Sequence, residues 1–140
     1  MGARPRGTAD SSEVAGLGTL LLGSRHPARR EWAARALADR GMVSAYAYLR
    51  HALWDPVESV RECAVNAIAD LSARQSAPEL LVLYAWSGPN LRRVILRAVK
   101  RMGSRGFDSI LRRARDDPDM SVRALASRVN RGGTAVPRRS

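Results

Sequence analysis

The stretch Asp55-Pro56-Val57-Glu58-Ser59-Val60-Arg61-Glu62-Cys63-Ala64-Val65-Asn66-Ala67-Ile68-Ala69-Asp70-Leu71 decides the fold. Ala64, Ala67 and Ile68 follow Arg61 by three, six and seven positions, the spacing of one face of a helix. At its head, Asp55 offers an N-cap oxygen, and the fixed φ and missing N–H of Pro56 suit a first helical turn.

Stepping outward by 31 residues reproduces the pattern. Arg30, Arg61, Arg92 and Arg123 form one column, Ala33, Ala64, Ile95 and Ala126 a second, and Ala36, Ala67, Ala98 and Val129 a third. The next contains Leu37, Ile68, Val99 and Asn130. Upstream, Leu49, Leu80 and Leu111 share a column, as do Leu21, Ala52, Leu83 and Ala114, so each repeat holds two helices. Asp117-Pro118 repeats the helix start, with His26-Pro27 and Gly88-Pro89 in matching places. Capping boxes are expected at Asp10 to Glu13 and Ser76 to Glu79. Gly41 and Gly103 fall where a left-handed C-cap would end the second helix.

These signals predict an all-α solenoid of about four stacked antiparallel helix pairs, at about 10–41, 42–73, 74–103 and 104–131. A single pair cannot bury its apolar face, whereas stacked pairs share a continuous core. Polar Asn130, in a column otherwise aliphatic, is expected to end the stack. Segments 1–9 and 132–140, rich in Gly, Pro and Arg, are expected to be flexible basic tails.

The motif at Asp55 to Leu71, with its echo at Asp117 to Ala126, resembles the HEAT repeat. The period is similar to that of the short bacterial form, the PBS-lyase HEAT-like repeat. The resemblance covers about residues 11–131 and implies an armadillo-like helical fold whose second helices line a concave surface. It also implies a ladder of aspartate and arginine along the stack. Asp55 with Arg61 and Asp117 with Arg123 match that motif, while Ser24 and Trp86 replace the aspartate before Arg30 and Arg92. Those two arginines then need other partners or solvent. All six ladder residues are expected to be structural.

The net charge of +11 is unevenly spread. Nine basic residues and Asp108 alone occupy Arg92 to Arg115. Arg93, Arg97 and Lys100 follow i, i+4, i+7 spacing, and with Arg101 and Arg128 they are the candidate surface for a protein partner, acidic in character, or for nucleic-acid phosphates. Few aromatics and no base-reading motif accompany them.

Trp32 and Cys63 share a column with Val94 and Leu125, and both are expected to pack in the core. Trp54 and Trp86 are expected to fill gaps at repeat junctions, with partner anchoring as the alternative. His26 and His51 stand in different repeat positions without metal-ligand spacing, and no phosphate loop is present. The sequence thus predicts no cofactor, no metal and no enzymatic activity.

No stretch reaches the roughly 18 apolar residues of a membrane span, and no signal peptide is recognised, so a cytoplasmic protein is expected. The leading expectation is a non-catalytic scaffold or adaptor that binds a protein. A nucleic-acid-binding solenoid resembling the HEAT-like alkylpurine DNA glycosylases is one alternative. A bilin lyase subunit, suggested by the repeat family's name, is the other. Oligomeric state and pathway are not legible.

Overall fold

The computed structural model describes residues 11–132, and for Asn130, Arg131 and Gly132 the backbone alone. Asp10, the tail at 1–9 and the end-capping side chain of Asn130 lie outside the described part. So does the tail at 132–140, except Gly132, which closes the last helix.

Eight α-helices and no strand occur among the described residues, as the periodicity requires. They are α1 (Ser11–Gly23), α2 (Pro27–Arg40), α3 (Tyr46–Ala52), α4 (Glu58–Asp70), α5 (Ala77–Trp86), α6 (Pro89–Met102), α7 (Asp108–Arg115) and α8 (Met120–Gly132). Short 3-10 turns at Val43–Ala45 and Arg74–Ser76 lead into α3 and α5.

Between Ser76 and Ala77 the chain divides into two compact units of two helix pairs each. In the first, α1 packs on α2 and α3, and α4 packs on α2 and α3. The second repeats the scheme with α5 on α6 and α7, and α8 on α6 and α7. First helices therefore lie beside first helices, and second beside second, within each unit.

The repeat columns form the cores. Ala33, Ala36, Leu37, Ala64, Ala67 and Ile68 are all buried between α2 and α4, where alanine side chains let the two helices approach closely. Ile95, Ala98, Val99, Ala126 and Val129 do the same for α6 and α8. Leu21, Leu49, Ala52, Leu80, Leu83, Leu111 and Ala114, the first-helix repeat columns, are buried as well. Gly18 on α1 is buried against the ring of Tyr48 on α3, and any Cβ there would collide with that ring.

Helix ends obey the period as well. Gly41 and Gly103 adopt left-handed φ values of 67° and 91° after α2 and α6. Ser72, one repeat on from Gly41, takes the same conformation at φ 50° without being glycine.

Helix starts differ from expectation. Helix α4 begins at Glu58 and α8 at Met120, so Asp55 and Asp117 stand before the caps. The Oδ1 atoms of Asp55 and Asp117 accept from the N–H groups of Val57 and Asp119, both at 2.9 Å, which closes a turn ahead of each helix. Asp119 is the carboxylate that caps α8, accepting from Val122 N–H at 3.0 Å. Hydrogen bonds from the Ser121 hydroxyl and the Val122 N–H hold the Asp119 carboxyl below the usual carboxylate range.

The box expected at Ser76 does not close. Its hydroxyl is fully buried and finds no hydrogen-bond partner. Replacing an unpaired buried hydroxyl with a methyl group removes a desolvation cost, so Ser76→Ala should raise unfolding stability by about 1 kcal/mol. A working capping box would lose about 1 kcal/mol instead, and a urea melt separates the two signs.

Three aromatic expectations also change. Trp32 is 54% exposed, and Cys63, Val94 and Leu125 of its column are half-buried, with Arg35 Nη1 3.5 Å from Cys63 Sγ. Partial burial pushes the Cys63 thiol above its ordinary pKa, although the Arg35 charge opposes the rise. Trp54 and Trp86 are 48% and 81% exposed and fill no gap within their units. The reason is position on the helix: the column lies one residue short of the Ala33 column and falls at the edge of the buried stripe.

Candidate functional site

The four arginines that set the period share one task. Arg30 Nη1 donates to the carbonyl of Ser24 at 2.8 Å, Arg61 Nη1 to that of Asp55 at 2.7 Å, and Arg123 Nη1 to that of Asp117 at 2.6 Å. These three arginines thus clamp the carbonyl six residues earlier, tying the turn between two helices to the second helix. Ser24 stands in the aspartate column and behaves similarly, its Oγ accepting from His26 N–H at 3.2 Å. Trp86 has no side-chain oxygen for that turn, and Arg92 differs from the other three in bonding the carbonyls of Tyr84 at 3.0 Å and Ala85 at 3.5 Å.

The carboxylates take a different arginine from the one the motif spacing suggests. Arg30 forms a two-pronged pair with Asp55, Nε to Oδ2 at 2.8 Å and Nη2 to Oδ1 at 3.0 Å. Arg92 Nη1 donates to Asp117 Oδ2 at 2.9 Å. Each aspartate side chain therefore serves the arginine 25 residues before it, from the preceding repeat. The arginines lacking an aspartate of their own are the two that receive a carboxylate.

In the second unit this rung gains a tyrosine that sequence reasoning missed. The Tyr84 hydroxyl donates to Asp117 Oδ2, and the Arg92 guanidinium lies 4.9 Å from the Tyr84 ring centroid. Burial raises the Asp117 pKa, but hydrogen bonds from Tyr84, the Asp119 N–H and Arg92 outweigh it and hold the carboxyl below the usual range. Burial, together with the hydrogen bond to Asp117, pushes the Tyr84 phenol far above its ordinary value. Tyr84 therefore remains a donor and Asp117 an acceptor throughout the neutral range. The only sequence signal for this trio was the missing aspartate at Trp86, which left Arg92 in need of acceptors.

The basic candidates divide into two kinds. Arg97, Lys100 and Arg101 are exposed on α6, and Arg128 is exposed on α8. Arg93 is tied down, its Nη1 donating to Ser121 Oγ at 2.6 Å and lying 3.8 Å from Asp119 Oδ1. Helices α6 and α8 pack side by side, so the exposed cations stand on adjacent second helices of one unit. No described helix is long and apolar enough to cross a membrane, and no three metal-ligating side chains cluster among the described residues.

The geometry defines an all-α repeat protein with arginine-clamped turns. No family model matches the chain, and no curated protein matches it. Among solved structures it is similar to the complex of CpcE and CpcF of phycocyanin lyase from Nostoc sp. PCC7120, with a TM-score of 0.68 and 23% identity over 88% of this chain. The chain spans about half, 53%, of the length of the chain it matches. At that identity the likeness shows the fold.

The likeness also corrects the expectation of a chain with no enzymatic activity. The similar structure is that of a lyase, an enzyme, although no three metal-ligating side chains cluster among the described residues of this chain. Lack of such a cluster is therefore no argument against a catalytic role.

Proposed function

We propose that this chain is a HEAT-like repeat protein of the short bacterial type that works as one subunit of a bilin lyase, alongside a second protein subunit. The observation that carries the reading is the similarity of fold, over 88% of the chain, to a lyase that is itself a complex of two different proteins. Exposed Arg97, Lys100, Arg101 and Arg128 supply a surface for a partner of acidic character, since clustered guanidinium and ammonium groups attract carboxylates over several ångströms. The ladder residues Arg30, Asp55, Arg61, Arg92, Asp117 and Arg123 then hold the repeats in place and touch no partner.

The test is reconstitution. The chain and the second repeat protein it captures from its native host are mixed with a free bilin and an acceptor protein, and pigment retained after denaturation is measured. Covalent pigment should appear with both chains present and fall to background when this chain is left out. Equal pigment without it, or a host that makes no bilin, would overturn the lyase reading.

A further inference from the structure

A cleft of about 580 Å³ opens in the second unit, lined in part by buried Tyr84 and Asp117 and half-buried Arg92. None of the exposed cations Arg97, Lys100, Arg101 and Arg128 lines it. Its volume lies within the range of roughly 300–1,000 Å³ usual for small-molecule sites.

Its floor is already satisfied. Arg92 and Tyr84 both bond Asp117, so the floor is a neutral pair held in one geometry. The rim is not neutral. Arg112 and Arg113 of α7 are exposed at the cleft, and Asp116, also exposed there, contributes one negative charge. One positive charge is left over, which suits a ligand with a single anionic head better than a polyphosphate. Both guanidiniums line the cleft, and each presents a planar fork suited to carboxylate or sulfonate oxygens. Leu81, Ala85 and Pro118 add apolar surface to the lining.

We propose that this cleft binds a small amphipathic monoanion, its carboxylate or sulfonate head held by Arg112 and Arg113 and its apolar body resting on Leu81, Ala85 and Pro118. The proposal rests on the cleft alone and stands or falls independently of the lyase reading.

The probe is an anilinonaphthalene sulfonate dye, which combines one sulfonate with an aromatic body, titrated by fluorescence into the full chain. Saturable binding at one site is expected. The double substitution Arg112→Gln, Arg113→Gln should weaken it about tenfold or more, the loss of a charge-assisted pair. Arg97→Gln with Lys100→Gln should leave it unchanged, and circular dichroism establishes that each variant is folded. Decanoate should displace the dye, whereas inorganic sulfate and decanol at the same concentration should not. Non-saturable binding, equal binding by the Arg112/Arg113 variant, or displacement by sulfate as effective as by decanoate would each overturn the proposal. Since Leu81 contributes body contacts but no charge, Leu81→Glu gives a second check and should also abolish binding.

Discussion

Asp117→Ala is expected to lower the unfolding free energy by about 3–5 kcal/mol, the usual cost of removing one partner from a buried ion pair. The side chain is 1% exposed and gathers three donors: the Tyr84 hydroxyl, Arg92 Nη1 and the Asp119 N–H. Truncation orphans the first and third and leaves the Arg92 charge, itself only partly exposed, without its carboxylate. Asp117→Asn is a milder change, since an amide oxygen still accepts from Tyr84 or the turn while the charge is lost. A chemical-denaturant melt of both variants ranks them.

The same residue sets an acid limb. Because the folded pKa of Asp117 lies below its unfolded value, its contribution is complete above an unfolded pKa of about 3.9 and is lost as pH falls through the folded value. The stability gap between the native chain and Asp117→Asn should therefore shrink below about pH 4 and hold steady from there to neutrality. A gap that stays constant into acid would mean that Asp117 carries no depressed pKa.

Ile68→Ala carries the second large effect, a loss of about 2–5 kcal/mol. Ile68 is fully buried on α4, which packs against α2, in the column it shares with Leu37 and Val99, so truncation leaves a cavity in the core. Asn66, two positions away and exposed, is the control. Asn66→Ala should change stability by less than about 0.5 kcal/mol. Equal effects at the two positions would break the assignment of columns to a buried and an outward face.

The column argument read the core well because burial in a repeat is set by helix geometry, and helix geometry is periodic. Leu21, Leu49, Leu80 and Leu111 were found from spacing alone, as were the left-handed glycines at Gly41 and Gly103. Spacing did worse where a neighbouring repeat decides the outcome. Asp55 and Arg61 are close in sequence, yet the Asp55 carboxylate goes to Arg30 and Arg61 takes only its carbonyl. Trp32 was misjudged because an apolar column can lie at the rim of the buried stripe, where about half of an indole remains in solvent. Tyr84 was invisible because its partner Asp117 lies 33 residues on, a distance no local motif spans. The cleft beside it combines side chains from both halves of that unit, and no single helix announces it.

A functional role was hardest to read because this fold offers no motif that marks chemistry. Arg92 and Arg97 both belong to the basic segment, yet Arg92 is bound into the floor of a cleft and Arg97 stands exposed. Their shared charge says nothing about that difference, which comes from where each falls around α6.

The central claim, that a second protein is held through the exposed cations, is tested most directly by the affinity for the partner captured from the native host, measured at two salt concentrations for the native chain and for Arg97→Glu with Lys100→Glu. The account predicts a loss of about tenfold or more on charge reversal, with a shallower dependence on salt. Partner affinity unchanged by the reversal, or a duplex DNA that binds the native chain more tightly than any captured protein, would contradict it.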